Sequence, residues 1–356
     1  MNKLTVGIIY GGRSVEHDIS LKSAKNVAAN LDQELYNIVT VGISRSGNWY
    51  LTKSITSSIS EGQPIMLSLD TTTKGFHTGN SFIKIDIVFP VLHGTDGEDG
   101  SVQGMLKAVD IPFVGSGVLG SSVAMDKLIS KRVLHDAGLP VAKYQAFTRN
   151  QRPSISFQDL SQDLGLPFIA KPANLGSSIG VVKIDSEESF RKALIESFKY
   201  DNTVLFEEFV VARELECAIL GNEDAIASVP GEIIISDSYE FYTFKAKYID
   251  PDAVKLVIPA DVTESQKKQI QELSLKAYHA VQCKDLSRVD IFLKNNNEVI
   301  INEINTIPGF TDASMYPMLF REAGISYKEL LTRLLQMCLE RFNLNQHLYT
   351  DFNSSL

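Results

Sequence analysis

Basic charge is in short supply in this chain. Its 34 lysines and arginines face 43 aspartates and glutamates, a net charge of −9 with no long basic run to offset it. A general nucleic-acid or anionic-membrane surface is therefore not expected, although a local cationic pocket is compatible with this balance. Cysteine is scarcer still. Cys217, Cys283 and Cys338 lie far apart without metal-ligand spacing, and an odd, sparse count fits reduced thiols in the cytosol. No apolar run approaches the roughly 20 residues that span a bilayer. The run Leu4–Gly12 is too short for a secretory signal, and Arg13, Glu16, His17 and Asp18 stand where a cleavage region would lie. The chain lacks a Gly-x-Ser-x-Gly elbow, a Cys–His pair, CxxC and the Gly-Lys-Ser/Thr of a Walker loop, and its six histidines show no metal spacing. These absences leave a soluble, cytoplasmic protein without covalent nucleophile chemistry as the expectation.

At 356 residues and 44% apolar content, the chain is long for one core, and two or three domains are expected. The first third reads as β-α-β units of a parallel α/β sheet. Leu4–Tyr10 is a buried strand that runs through Gly11-Gly12-Arg13-Ser14 into a helix over 21–31. Strands follow over 37–43 and 83–91, the last ending in the glycine-rich loop His93-Gly94-Thr95-Asp96-Gly97-Glu98-Asp99-Gly100. Ligands collect at the carboxyl ends of strands in such sheets, and both glycine loops lie there. The Ser-, Thr- and Gly-rich stretch 52–80 shows no clear period and reads as variable surface. Further on, helices are predicted over 124–137, 186–200, 263–281 and 327–341. The third of these is opened by a Thr263–Gln266 capping box.

The chemistry concentrates in four places. Ser287–Leu293 and Val299–Asn305 each alternate, so Arg288 and Asp290 share a face, as do Glu303 and Asn305. A two-residue loop at Asn295-Asn296 would set Glu303 opposite Arg288 and Asp290 opposite Ile301. Two carboxylates and an amide beside a guanidinium suit Mg²⁺ and phosphate, although a solvated hairpin face has the same pattern. Lys171, at a strand end, precedes Gly176-Ser177-Ser178, a loop able to fold over phosphates or to serve as a plain turn. Glu207-Glu208-Phe209-Val210, with Glu214 beyond, suits a nucleotide edge, or an acidic surface turn. Phe241–Tyr248 alternates aromatic with basic or small residues and reads equally as a closing loop bearing Lys247 and Tyr248 or as an edge strand.

Taken in order, these stretches resemble a family. Gly11-Gly12-Arg13-Ser14-Val15-Glu16, His93-Gly94, Met125-Asp126-Lys127, Gly176-Ser177-Ser178, Lys247-Tyr248, Arg288-Val289-Asp290, Asn302-Glu303-Ile304-Asn305 and Pro308-Gly309-Phe310-Thr311 are similar to the motifs of D-alanine–D-alanine ligases. Each motif is weak singly, and the ordered set is specific. The resemblance implies a three-domain α/β ATP-grasp fold with an N-terminal parallel α/β domain, divided as 1–124, 125–212 and 213–356. It implies ATP-dependent synthesis of D-alanyl-D-alanine for peptidoglycan, with ATP and two Mg²⁺ or Mn²⁺ ions, in a homodimer. By the same resemblance Asp290, Glu303 and Asn305 hold the metals. Lys127, Lys171 and Lys247 hold phosphates, and Glu207, Val210 and Glu214 hold adenosine. Glu16 meets the first substrate's ammonium group, His93 lies near the substrates, Arg288 and Gly309 serve the acyl centre, and Ser314 and Met315 the second substrate. Glu16, Ser177 and Tyr248 correspond to a hydrogen-bonded trio. Tyr242-Thr243-Phe244 departs from the family's usual Tyr-Asp-Tyr, which bears on loop packing. D-Alanyl-D-lactate-forming relatives carry His or Phe in place of Tyr248, so tyrosine favours the dipeptide over D-lactate or D-serine products. A non-catalytic ATP-binding module is the rival of another class.

Overall fold

The computed structural model describes residues 3–236, 250 and 252–348. Lys247 and Tyr248, with most of the predicted closing loop, lie outside the described residues.

β1 (Leu4–Gly11) is buried from Val6 onward, as a strand with parallel neighbours on both sides must be. It pairs in parallel with β2 (Tyr36–Ile43) and β8 (Ile87–Val91). The sheet extends antiparallel through β3 (Trp49–Thr52) and β4 (Gln63–Pro64), in the order β4-β3-β2-β1-β8. Gly11 ends β1 at φ +93°, where a Cβ would lie 2.3 Å from the Ile43 carbonyl oxygen. Only glycine lets the chain turn there into α1 (His17–Asn30). The stretch 52–80, expected as variable surface without a clear period, carries short strands. β5 (Met66–Leu67), β6 (Gly75–Thr78) and β7 (Ser81–Lys84) form a small antiparallel sheet, pinned to the core by Phe76 at 1% exposure. Strands of two to four residues are too short to show a period.

α2 (Ser101–Ala108) and α3 (Val118–Met125) lead into α4 (Lys127–Asp136). The helix expected over 124–137 begins at Lys127 instead, and Ala124 and Met125 end α3. Asp126 has extended backbone, and its carboxylate accepts from the N–H groups of Leu128 and Ile129, so it caps a new helix. The second region is antiparallel, in the order β11-β10-β12-β9. It is built from β9 (Tyr144–Thr148), α5 (Phe157–Leu164), β10 (Phe168–Pro172), β11 (Val182–Ile184), α6 (Glu187–Tyr200) and β12 (Thr203–Glu208). Phe168, Phe190, Phe198 and Phe206 fill the space beneath its helices.

The third region holds β13 (Arg213–Gly221), β14 (Ile226–Ala227), β15 (Gly231–Ile235), β16 (Val254–Val257), α7 (Glu264–Ala280), β17 (Asp285–Leu293), β18 (Val299–Asn305), α8 (Met315–Glu322) and α9 (Tyr327–Asn345). Its sheet runs β16-β15-β13-β17-β18, all antiparallel. α7 begins with the predicted capping box, Thr263 accepting from Gln266 N–H. Leu215, Cys217 and Ile219 face one core with Ile270 and Tyr278 of α7. Ala218 and Leu220 point the other way, into a core shared with α1, α8, α9 and β1. Leu330, Leu331, Leu334 and Leu335 are all fully buried there, each stabilising by about 1.5–3 kcal/mol. That shared core fixes the first sheet against the third.

The β17–β18 hairpin departs from the expected register. Lys294 N–H donates to Glu298 O, and Asn297 N–H to Lys294 O, with Asn297 at φ +66°, which makes a three-residue loop of 295–297. A register shift then falls beside Asp290 and Ile291. Asp290 faces Glu303, and Arg288 faces Asn305, whereas the two-residue loop had set Glu303 against Arg288 and Asp290 against Ile301. Ile301 and Ile304 both enter the same core. They are three residues apart, which a regular strand forbids and a bulge at Asn302 allows. Without the bulge the longer loop would have turned Glu303 and Asn305 to the core face. The shared polar face was read correctly; the pairing was not.

Candidate active site

Two cavities meet at the junction of the three regions. One, of about 540 Å³, lies between the second and third sheets. The other, of about 330 Å³, lies against the first region. Lys127, Gly176, Ser177, Glu216, Ile233 and Glu303 line both.

Lys171, Glu207, Val210 and Glu214 line the larger cavity, together with Phe209, Ile169 and Phe292. Apolar faces beside a backbone crossover over 208–211 suit a flat base. At its base the Glu207 carboxylate lies 2.8 Å from Lys171 Nζ and 2.9 Å from Lys131 Nζ. Glu207 is 3% exposed and Lys131 1%. Burial alone would raise the Glu207 carboxyl, but the two lysines outweigh it and hold the group below its ordinary range. Burial pushes the Lys131 ammonium down, against the pull of Glu207.

At the junction, Lys127 is the first residue of α4, a position where a cation opposes the helix dipole. Its Nζ donates to Leu175 O at 2.7 Å and lies 3.9 Å from Glu303 Oε2, so the placement serves the site rather than the helix. Arg288 forks onto Asp290, Nε to Oδ1 at 2.6 Å and Nη2 to Oδ2 at 2.7 Å, and its Nε lies 3.1 Å from Glu216 Oε2. Asn305 Oδ1 accepts from Ile307 N–H at 3.2 Å, opening the Pro308-Gly309 turn. Asp290, Glu303 and Asn305 thus share one face, with the two carboxylates directly opposed. Among the described residues no group of three His, Cys, Asp or Glu side chains could hold a metal. Two carboxylates and an amide do fit Mg²⁺, which usually completes its shell with water and substrate phosphates.

Glu16, His93, Arg288, Gly309, Ser314 and Met315 line the smaller cavity. Ser177 Oγ donates to Glu16 Oε1, joining the second region to the first. Ser177 and Ser178 both have positive φ, 55° and 56°, a strained pair that persists only where its surroundings fix it. Ser23 Oγ touches His93 Nε2 at 3.2 Å and accepts from Phe310 N–H at 3.3 Å, while His93 Nδ1 meets Ile307 O at 3.0 Å. The loop after β8 is thereby tied to the turn holding Gly309. Ser314 Oγ accepts from Thr311 N–H at 3.0 Å and closes that turn. Glu98 lies 3.7 Å from His93. Burial would lower the imidazole, but Glu98 and then Glu16 raise it above its ordinary value. Burial and Glu16 in turn raise the Glu98 carboxyl, against His93.

Residues 5–116 match the D-ala D-ala ligase N-terminus family, and residues 133–336 the D-ala D-ala ligase C-terminus family. The chain belongs to the D-alanine–D-alanine ligase family. A D-alanine–D-alanine ligase of Oceanobacillus iheyensis is 46% identical, covering 97% of this chain and 98% of its own. The solved D-alanine–D-alanine ligase of Coxiella burnetii superposes with a TM-score of 0.87 at 35% identity, covering 97% of each chain. The VanG D-Ala:D-Ser ligase of Enterococcus faecalis follows at 0.86 and 34%, covering 95% of this chain and all of its own. Within this D-alanine–D-alanine ligase family member, sequence reasoning assigned no role to Lys131, Glu98, Glu216 or Ser23. Two of them carried a signal: Lys131 stands four residues from Lys127 on one helix face, and Glu216 two residues from Glu214 on one strand face.

Proposed function

We propose that this chain joins two D-alanine molecules into D-alanyl-D-alanine at the expense of ATP, for peptidoglycan precursor synthesis. The observation that carries the reading is the junction. A cavity with lysines at its base meets a second, amino-acid-sized cavity at Glu303 and Lys127. ATP fits the larger cavity, with its base by Phe209 and Val210, its ribose by Glu214 and its phosphates by Lys127, Lys171 and Lys247. Glu16 receives the ammonium of the first D-alanine.

The carboxylate of that D-alanine attacks the γ-phosphoryl group, releasing ADP and leaving an acyl phosphate. The amine of the second D-alanine, its carboxylate held by Ser314 and Met315, then attacks the acyl carbon. The tetrahedral intermediate collapses with loss of phosphate and a proton. Arg288 and the Gly309 N–H face the oxygen on which charge builds. Asp290, Glu303 and Asn305 would hold two divalent cations, Mg²⁺ or Mn²⁺, which would neutralise phosphoryl charge. The acyl phosphate needs protection from water, the part given to the loop bearing Lys247 and Tyr248. The division into 1–124, 125–212 and 213–356, a cytoplasmic location and a homodimer complete the reading. α4 belongs to the middle segment by chain order, yet its Leu134 packs into the core of the third sheet.

The test is incubation with ATP, Mg²⁺ and D-alanine, alone and with D-lactate or D-serine, following phosphate and product mass. D-Alanyl-D-alanine as main product is expected. A mixed product would overturn the specificity assigned to Tyr248, and no phosphate release from folded protein would favour a non-catalytic module. Tyr248→Phe should raise the share of D-lactate product; an unchanged ratio would remove that residue from the specificity argument.

A further inference from the structure

Arg288 is hydrogen-bonded to one carboxylate and ion-paired with a second. Its fork onto Asp290 occupies both carboxylate oxygens, at 2.6 and 2.7 Å, and Glu216 Oε2 stands 3.1 Å from its Nε. Glu216 is 4% exposed and projects from β13, where it pairs in register with Asp290. Glu216 also lines both cavities. Asp290 is one of the residues given above to the divalent cation, so cation and guanidinium compete for the same two oxygens. Across the hairpin the other metal carboxylate, Glu303, has Lys127 3.9 Å away. A buried guanidinium stripped of its counter-charge is strongly disfavoured, so Arg288 needs a second carboxylate once Asp290 is taken. Glu216 is within reach without any shift of the strands.

Resting on that metal assignment, we propose that Glu216 is a positioning residue that takes over Arg288 when a divalent cation binds Asp290. The cation thereby frees the guanidinium fork for the substrate carboxylate, while Glu216 keeps it at the junction. Metal binding and charging of the first-substrate pocket are coupled through one arginine. The coupling acts on affinity for the cation and for the first D-alanine before any chemistry occurs.

Mn²⁺ is the probe, titrated into the full chain with ADP at one fixed concentration and followed by the electron paramagnetic resonance of the free ion. Wild type, Glu216→Gln, Arg288→Met and the double variant form a cycle, with Asp290→Asn as control. Arg288→Met removes the competitor and should tighten Mn²⁺ binding. Glu216→Gln leaves the arginine on Asp290 and should weaken it by about tenfold. In the Arg288→Met background the same change should have little effect. Steady-state kinetics should show Glu216→Gln raising KM for the first D-alanine more than it lowers kcat. Equal weakening by Glu216→Gln in both backgrounds would mean that the carboxylate acts by charge alone, and would overturn the proposal. So would Arg288→Met binding Mn²⁺ no more tightly than wild type. Unchanged Mn²⁺ binding in Asp290→Asn would instead overturn the metal assignment, and the proposal with it. If Glu216→Gln fails to fold, Glu216→Asp keeps the charge, shortens the reach and carries the same comparison: weakened binding beside Arg288, none beside Met.

Discussion

The two charged clusters around the junction are built as opposites. Under the larger cavity one carboxylate, Glu207, sits between two ammonium groups, Lys131 and Lys171. On the hairpin face one guanidinium, Arg288, sits between two carboxylates, Asp290 and Glu216. The first trio carries an excess positive charge where a triphosphate is proposed, the second an excess negative charge where a divalent cation is proposed. Burial removes the water that would screen either surplus. A buried neutral pair is weak support for a fold, because desolvation offsets the attraction. A buried trio does something else: its unmatched charge is a standing preference for a ligand of the opposite sign. The trios also differ in what holds them. Lys131 and Lys171 stand on a helix and on an inner strand, whereas Asp290 faces a bulged strand.

The largest effect should come from the negative trio's side. Glu303→Gln keeps the shape and removes one of the two opposed metal carboxylates. Turnover is expected to fall by about 10²–10³-fold, as for loss of one transition-state charge partner, with the thermal unfolding midpoint unchanged. Unaltered turnover would remove the metal assignment and with it half of the comparison.

Glu207→Gln strikes the positive trio and should act on stability instead. Two buried lysines would lose their only counter-charge in the trio, at a cost of about 3–5 kcal/mol in denaturant unfolding. The folded Glu207 carboxyl lies below its ordinary range, so its stabilisation is fully present above the unfolded value. That stabilisation is lost as pH falls through the folded value. The gap between wild type and variant should therefore be widest near neutrality and shrink in acid. A gap constant with pH would mean that packing, not charge, holds Glu207.

Lys131→Met removes the surplus without leaving an unpaired cation, because Glu207 and Lys171 then neutralise one another. ATP should bind about tenfold more weakly and adenosine unchanged in calorimetric titrations. Equal losses for both ligands would make Lys131 a prop for the nucleoside edge rather than a source of phosphate affinity.

How far these trios could be read in advance follows from their geometry. Arg288, Asp290, Glu303 and Asn305 were legible as one face because strand alternation survives without knowledge of partners. Their pairing was not, since Asn297 at positive φ lengthened the loop and the bulge at Asn302 then shifted the register. Neither leaves a mark on side-chain alternation alone. Lys171 and Glu207 were named separately, but their contact joins β10 to β12 across the register Ile169 to Glu207, a pairing that local periodicity does not reveal. Lys131 was hidden differently. A lysine in an amphipathic helix reads as solvent-facing until the sheet above it supplies a buried carboxylate. The same limit applied at Asp126, where a cap near the start of the predicted helix ended α3 and placed Lys127 at the start of α4.

The smallest effect concerns a pair that belongs to neither trio. His93 is buried and Glu98 half-buried in the cavity that Glu16 also lines, and the imidazole is raised because Glu98, with Glu16 and the Ile307 carbonyl, outweighs the burial that would lower it. A histidine raised in the fold contributes stability that is complete below its unfolded value and is lost as pH rises through the folded one. Its protonated form also offsets Glu98, leaving the Glu16 carboxylate to meet an incoming ammonium. Glu98→Gln should move the His93 titration, followed by the imidazole proton resonance, toward or below the ordinary histidine range. It should weaken the first D-alanine only a few-fold, because Glu16 and its Ser177 partner are untouched. A titration that does not move would mean that Ser23 and the Ile307 carbonyl, rather than Glu98, set the charge of His93.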